Sequence, residues 1–203
     1  MQVSRFFLSF RVVTMNYRLR LNAFAAFLLG FAMCSMSIST FAEDKVAKID
    51  LAGGKFVMAT PATWETVPPK SNLVTYEFKA PKDAKDDTAR ITIMQASGGV
   101  DLNVDRWIGQ FDGLKKSDAK IDKKDVAGAT VHIVDLSGTF NDSMGGGPFA
   151  PGKTVKRDNY RMLGAIIETK DAGTIFVKMT GTQAVVAPLV EGFKKSLMEI
   201  KSK

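Results

Sequence analysis

Short runs of alternating or β-branched residues follow one another along the first part of the chain beyond residue 48, and they predict strands. Gly, Pro and charged turn residues separate these runs. In the run 90–95, Ile91 and Ile93 alternate with Thr92 and Met94, so neither face of that strand is fully polar. A sheet covered on both faces accounts for this pattern better than one with a wet side. The predicted strands are residues 49–51, 55–59, 74–79 and 90–95.

The hydrophobic period then lengthens to that of a helix. We expect Asn103 to be its N-cap, Gly113 to end it and Trp107 to lie in the core. The apolar residues recur at helical spacing and form one stripe of an amphipathic helix: Val100, Val104, Trp107, Ile108 and Phe111.

Three longer strands are predicted next, over residues 129–139, 160–169 and 174–179, after a lysine-rich connection. A second amphipathic helix closes the chain, and Pro188 fits only its first turn. The order of strands, helix, strands and helix, with hairpin-length connections, predicts an α+β fold in which helices cover an antiparallel sheet. The apolar stripe of the second helix consists of Val186, Leu189, Val190, Phe193, Leu197 and Ile200.

Residues 1–42 have the pattern of a secretory signal. They carry four arginines and no acidic residue, then an uncharged stretch of 22 residues that ends in small side chains. The predicted cut lies between Ala42 and Glu43, which leaves 43–203 as a single globular domain, exported to the periplasm or secreted. Met15 would start a signal of more usual length. The alternative is an uncleaved membrane anchor, because 22 uncharged residues can span a bilayer.

Cleavage would change the charge and the chemistry of the protein. The full chain has 28 basic and 21 acidic residues, and losing the four leader arginines lowers its formal charge from +7 to +3. Cys34 would leave with the signal, and it is the single cysteine of the chain. Cysteine nucleophiles, thiolate metal sites and disulfides are then excluded from the mature domain.

Residues 147–154 match the phosphate-binding pattern G-x-x-x-x-G-K-[ST]. Two prolines remove N–H donors from the would-be cradle, and a strand rather than a helix is predicted after it. We therefore interpret residues 141–152 as a surface loop, either a functional lid or simply mobile.

His132, the single histidine, lies in a predicted strand, and we interpret it as structural. The acidic clusters lack the spacing of a calcium loop, so we expect no metal and no cofactor. The clustered acidic residues are Asp83, Asp86, Asp87, Asp101, Asp105 and Asp112.

The basic residues concentrate in one segment before the second group of strands. Asp118, Asp122 and Asp125 are interleaved with them, and no aromatic residue is. The segment is therefore interpreted as a solvated loop, and nucleic-acid binding is not expected. Its lysines are Lys115, Lys116, Lys120, Lys123 and Lys124.

Several motifs together resemble a family of exported bacterial proteins of unassigned function, met especially in planctomycetes and similar in fold to the Mog1 and PsbP proteins. The resemblance implies an α/β/α sandwich around an antiparallel sheet and non-enzymatic accessory roles. The motifs are FVMATPATW at 56–64, YEF at 76–78, the block from Gly98 to Phe111, NYRMLGA at 159–165 and FVKMTG at 176–181.

The leading hypothesis is an exported, non-catalytic binding or accessory protein with an unknown protein or envelope partner. One alternative is a hydrolase-type enzyme with a carboxylate site under the 141–152 loop, and another is a polyanion or envelope-surface binder that uses the lysine cluster. The membrane would be met only through the signal before cleavage. The predicted binding surface, where the loop approaches the 98–106 segment, comprises Asn103, Arg106, Asn141 and Arg161.

N-terminal sequencing of the exported protein tests the signal. We expect the sequence to begin at Glu43, because the small-residue exit ends at Ala42. A product that begins at Met1 or Met15 would contradict cleavage and support the anchor.

Overall fold

The computed structural model describes residues 46–144 and 153–203, and the predicted signal with Ala42 and Glu43 lies outside them. The strands of the described part are β1 (Lys48–Leu51), β2 (Phe56–Ala59), β3 (Glu65–Val67), β4 (Tyr76–Ala80), β5 (Ala89–Ala96), β6 (Lys120–Val126), β7 (Ala129–Met144), β8 (Lys153–Glu168), β9 (Thr174–Thr182) and β10 (Lys201–Ser202). Its helices are α1 (Val100–Ile108), α2 (Gln183–Val186) and α3 (Val190–Met198). Among these residues no helix has the length and apolarity that a membrane crossing requires.

Seven strands form one antiparallel sheet in the order β3-β4-β5-β9-β8-β7-β6. The strands from β6 to β9 follow one another as hairpins, whereas β5 pairs with β9, so α1 and three strands are inserted between two neighbours in the sheet. A smaller antiparallel sheet has the order β1-β2-β10. These pairings account for the many strands that the sequence pattern predicts.

Two hydrophobic cores lie on opposite faces of the large sheet. One contains α2, α3 and the small sheet, packed on Phe78, Ile91 and Val177 among others. The other contains α1, packed on Leu136, Met162 and further side chains of the opposite face. The fold is therefore α+β, an antiparallel sheet between helical layers, as the sequence predicts.

The closing helix is divided in two by Pro188. A 3₁₀ turn, Ala187–Leu189, carries this proline between α2 and α3. The regular helix begins at Val190, directly after the turn, because proline is compatible with a first turn and not with a helix interior. Phe193 of α3 lies against Trp64, which also contacts Phe78 of the sheet at a ring-centroid distance of 5.4 Å.

Helix α1 lies directly on the sheet because Trp107 faces a strand position without a side chain. A Cβ atom built on Gly164 would come within 2.4 Å of the Trp107 ring. The ring is 6% exposed and meets Phe176 edge-on at 6.0 Å. The stripe predicted to face the core does so, and Gly164 sets the distance between α1 and β8.

The predicted ends of the first helix are wrong. Gly99 is the N-cap residue, and Asn103 lies inside the helix, 3% exposed. The helix ends at Ile108 with Gly109 as its C-cap, not at Gly113. Asparagine is a common N-cap residue, which is why the sequence predicts Asn103 to be one. In the structure it lies one turn into the helix, and its side-chain amide donates a hydrogen bond to the Gly99 carbonyl at 3.0 Å.

The lysine-rich segment is a strand over part of its length, not a solvated loop. Strand β6 pairs with β7 from Lys120 to Val126, and the side chains from Lys120 to Asp125 are exposed. Backbone hydrogen bonds hold this edge, so its sequence needs no apolar alternation. Charged side chains on an edge strand also discourage pairing with other chains.

The predicted 141–152 loop is wrong over its first four residues, because β7 continues to Met144, and β8 begins at Lys153. Residues 145–152, and most of the phosphate-binding pattern with them, lie outside the described residues. The pattern's last two residues, Lys153 and Thr154, begin a strand and not a helix. This departs from the strand-loop-helix context in which the pattern binds phosphate.

Replacing Gly164 with alanine tests how α1 is seated. The new methyl group would overlap the Trp107 ring, so we expect the free energy of unfolding in urea to fall by about 1–3 kcal/mol.

The matched control is Gly192→Ala in α3, whose Cβ would make an ordinary contact with Pro61 at 3.6 Å, so that the free energy of unfolding should not fall. In a Trp107→Leu background Gly164→Ala should cost less than in the wild type. An equal cost in both backgrounds would contradict the contact.

Candidate functional site

Two adjoining cavities lie on the α1 face of the large sheet, beside the helix. They have volumes of about 240 and 190 Å³ and share Thr92, Gln110 and Lys178, and we call them together the α1 groove. The larger is lined by hydroxyl, amide and charged side chains, including Arg90, Asn141, Ser143, Tyr160 and Thr180. The smaller has apolar walls of Met94, Ala96, Trp107 and Phe176, with Asn103 and Arg106 at its rim.

The floor of the groove comes from strand alternation on β5 and β9. The odd-numbered residues Ile91, Ile93 and Val177 enter the core under α3. Their even-numbered neighbours therefore point to the α1 face, and the register sets them directly opposite one another. These pairs are Arg90 with Thr180, Thr92 with Lys178, and Met94 with Phe176. Thr92 and Met94, which alternate with Ile91 and Ile93 in the sequence, therefore form part of this floor.

One wall of the groove is the edge of α1 and the turn that follows it. Asn103, Arg106, Trp107 and Gln110 lie three or four residues apart, so their side chains share a helix face. The Asn103 Oδ1 accepts a hydrogen bond from Arg106 Nη1 at 3.3 Å, which holds the guanidinium beside the cavity. Within the described residues Arg106 has no carboxylate within 4.0 Å.

The other wall is the part of the β7-β8 hairpin that extends beyond a bulge. The register shifts between Gly138 and Phe140, and Asn159 opposite has a φ of 56°. Asn141 then donates its backbone N–H to the Gln110 carbonyl at 2.7 Å and its Nδ2 to Asp112 Oδ1 at 2.7 Å. These two hydrogen bonds hold Asn141 at the edge of the larger cavity.

Lys178 is the unusual charge of the site. Its Nζ donates to Gln110 Oε1 at 3.2 Å and lies 6.0 Å from the centre of the Phe140 ring. The pKa of the Lys178 amine is lowered from 10.5 to about 8, because burial and the charge of Arg90 lower it more than Asp142 raises it. Among the described residues it forms no ion pair with a carboxylate, so the groove holds an ammonium group that lacks a counter-ion.

The other charges in the polar cavity are already neutralised. Arg90 makes two hydrogen bonds to Glu77, at 2.7 and 2.9 Å, and Glu77 is 1% exposed. The Arg90 hydrogen bond lowers the pKa of that carboxyl, against the effect of burial. Asp142 forms an ion pair with Arg157 at 3.3 Å. Both carboxylates are therefore engaged in ion pairs within the fold.

Three of the four predicted site residues line the groove. Asn103 and Arg106 line its apolar half, and Asn141 lines its polar half. Arg161 does not join them, because it lies on the same face of β8 as Leu163 and the α3-side core. There it pairs with Asp135 at 2.6 and 2.8 Å.

Sequence reasoning missed Lys178, Gln110 and Thr92, which join the two cavities. The available signal was a lysine inside the apolar run 175–179, two residues after Phe176 on the same strand face. A charged side chain in an apolar strand is costly to bury unless it has a partner, so such a lysine indicates a candidate site. The pattern did not reveal that α1 stops short of it.

The features behind the other hypotheses are used structurally. His132 Nε2 lies 2.9 Å from Glu168 Oε2 across the β7-β8 pair. Asp101 and Asp105 both bind Lys116, and Asp112 forms an ion pair with Lys156 that lowers the pKa of its carboxyl. No cluster of His, Cys, Asp or Glu within the described ranges has the arrangement of a metal site.

The lysine cluster is divided between faces. Along β6, Lys120 and Lys124 alternate with Lys123, so they point to opposite sides of the sheet. Asp122 lies on the face of Lys120 and Lys124, and Asp125 lies on the face of Lys123, so each face carries a carboxylate that weakens its positive charge. Lys116 is occupied by α1 carboxylates. The arrangement does not make one continuous basic surface.

No protein-family model matches the chain, and no curated protein does. Several solved structures are similar to it, and they include the following two. The solution structure of cyanobacterial PsbP (CyanoP) from Synechocystis sp. PCC 6803 is 11% identical, with a TM-score of 0.49 over 82% of this chain and 98% of that one. The structure of LpqN, involved in cell envelope biogenesis of Mycobacterium tuberculosis, is 9% identical, with a TM-score of 0.41 over 79% and 86% of the two chains.

The unpaired amine predicts a pH-dependent stability. Because folding lowers the pKa of Lys178 from 10.5 to about 8, the unfolded chain binds more protons between these pH values, and stability rises with pH across that window. Lys178→Met should therefore be more stable than the wild type at pH 7, by about 1–2 kcal/mol. The difference should shrink as the pH rises from 8 to 10.

Urea unfolding at pH 7, 8.5 and 10 measures this difference. Lys123→Met, on the exposed edge strand, is the control and should stay within about 0.5 kcal/mol of the wild type throughout. A destabilised Lys178→Met at pH 7 would contradict the cost assigned to the unpaired charge.

Proposed function

We propose that this chain is an exported, non-catalytic binding or accessory protein that recognises its ligand in the α1 groove. The observation that carries the proposal is Lys178, a partly buried ammonium without a carboxylate partner among the described residues, at the junction of two cavities. Arg90 and Arg161 are also part-buried, and each forms a two-bond pair with a carboxylate. An unpaired buried charge is costly, so its retention fits a counter-ion that arrives from outside.

The carboxylates beside the groove favour recognition over acid–base chemistry. Glu77 and Asp142, the nearby carboxylates, are held in ion pairs, and the pKa of the Glu77 carboxyl is lowered, where a general acid needs it raised. What remains is a set of hydroxyl and amide groups, two cations and an apolar wall. Pockets of this composition orient and select ligands.

The export part of the proposal rests on the leader pattern of residues 1–42. A protein delivered to the periplasm or to the exterior meets envelope components there. We therefore propose that the ligand or partner is an envelope molecule that presents a small group to the groove.

A thermal-shift experiment tests the proposed function. The protein is recovered from the envelope fraction of expressing cells and mixed with the low-molecular-weight extract of that envelope. Ligand that binds only the folded state raises the unfolding temperature by mass action, so we expect an increase of several degrees. Lys178→Met should lose the increase, and the control Lys123→Met on β6 should keep it.

Two results would overturn the proposal. One is an increase that persists unchanged in Lys178→Met, because the ligand would then bind elsewhere. The other is substrate turnover by the pure protein that Lys178→Met abolishes, because the groove would then be catalytic.

A further inference from the structure

The charges around the groove determine how much negative charge it can accept. Facing Lys178 are Arg90 from β5, Asp142 from β7, Tyr160 from β8 and Arg106 from α1. Arg90 is matched by Glu77, and Asp142 is matched by Arg157. The uncompensated charge is therefore that of Lys178 and Arg106. Two uncompensated cations at one cavity favour an anionic ligand.

The geometry of the donors favours a flat anionic group. Arg106 presents a planar guanidinium, whose paired N–H groups match the two oxygens of a carboxylate. The Lys178 ammonium lines the same cavity and can donate in other directions. Gln110, which contacts Lys178, offers an amide that can turn to accompany the anion.

The walls of this cavity require an apolar body on the ligand. Trp107 and Phe176 meet edge-on at 6.0 Å, and Met94, beside Phe176 in the sheet, and Ala96 continue this apolar surface. Inorganic anions would leave these surfaces wet. The volume of about 190 Å³ is below the range of about 300–1,000 Å³ that drug-sized ligands occupy, so the body is small.

We propose that the α1 groove binds a small carboxylate with an aromatic or short alkyl body, the carboxylate lying between Lys178 and Arg106 and the body lying against Trp107, Phe176 and Met94. This inference rests on the proposed function, because it names the ligand class of the same groove. The polar cavity on the other side of Lys178 then accommodates water or a polar substituent of the ligand.

Isothermal titration calorimetry of the protein from the envelope fraction, with benzoate and hexanoate as probes at pH 7, tests the class. Both should bind at least tenfold more tightly than three comparison molecules. Benzamide has the body without the charge, acetate has the charge without the body, and inorganic phosphate is a polar anion. Equal or tighter binding of benzamide or phosphate, or no binding of either probe, would overturn the proposal.

Variants then locate the carboxylate. Lys178→Met and Arg106→Met should each weaken benzoate binding by about tenfold or more, whereas Lys123→Met should leave it unchanged. Met94→Gln should reduce the advantage of hexanoate over acetate, because it makes the wall polar. If Lys178→Met binds benzoate as the wild type does, the assigned position is wrong even when the protein is well folded.

The pH dependence gives a readout that a merely structural lysine would not change. Since the pKa of Lys178 is about 8, wild-type affinity for benzoate should fall by about tenfold for each pH unit above 8, and binding at pH 8.5 should take up protons. Lys178→Arg keeps its charge, so its affinity should be flat over pH 7 to 9.5. A flat wild-type profile would contradict the role of Lys178.

The two proposals fail separately. Suppose that envelope extract raises the unfolding temperature in a Lys178-dependent way but benzoate and hexanoate do not bind. Then the groove is a binding site for another class, and only the carboxylate inference is lost. If neither extract nor probe binds in the groove, the proposed function is lost as well.

Discussion

The contact between Trp107 and Gly164 is the constraint on which the α1 side of the molecule depends. An indole ring can approach a strand this closely only where no side chain projects, and Gly164 provides that place in β8. This contact sets the height of α1 above the sheet. It also places the helix edge beside β9 and β5, and the space left uncovered there is the groove. A helix seated higher or further across would close or flatten that space.

The two faces of the sheet treat charge differently. On the α3 side, Arg161 and Asp135 neutralise each other through two hydrogen bonds. On the α1 side, Arg90 and Glu77 do the same, but Lys178 next to them retains an amide oxygen as its hydrogen-bond acceptor. Both arginines thus have a carboxylate partner, whereas Lys178 at the groove has only an amide oxygen. Such local departures from good packing commonly mark functional positions.

The fold was largely predictable because periodicity reports which face a residue buries. Seven of the ten described strands, the α1 stripe and the position of Pro188 follow from it, whereas the short strands β3 and β10 carry too few residues to show a period. Strand β6 is not predicted, because its charged residues form a sheet edge that is held by backbone hydrogen bonds and therefore shows no apolar alternation in the sequence. The extension of β7 and β8 escaped because Asn141 and Asp142 resemble loop residues, although their pairing with Lys156 and Val155 is ordinary strand pairing.

The site was predictable only in part. Asn103, Arg106 and Asn141 could be selected as polar residues beside an apolar helix and a presumed loop. Lys178 could not, because its surroundings depend on β5 lying next to β9, a pairing between segments that are distant in the sequence. Arg161 was a reasonable choice by its residue type, but strand alternation turns it to the other face.

The pairing of β5 with β9 also determines when the groove comes into existence. Arg90 and Thr180 are neighbours in the sheet, and all of α1 and β6 to β8 lies between them in the sequence. Contacts between such distant segments form late and slow the folding of a chain. No fragment that ends before β9 contains the floor of the groove. The groove is thus complete only once β9 has been synthesised and has paired with β5.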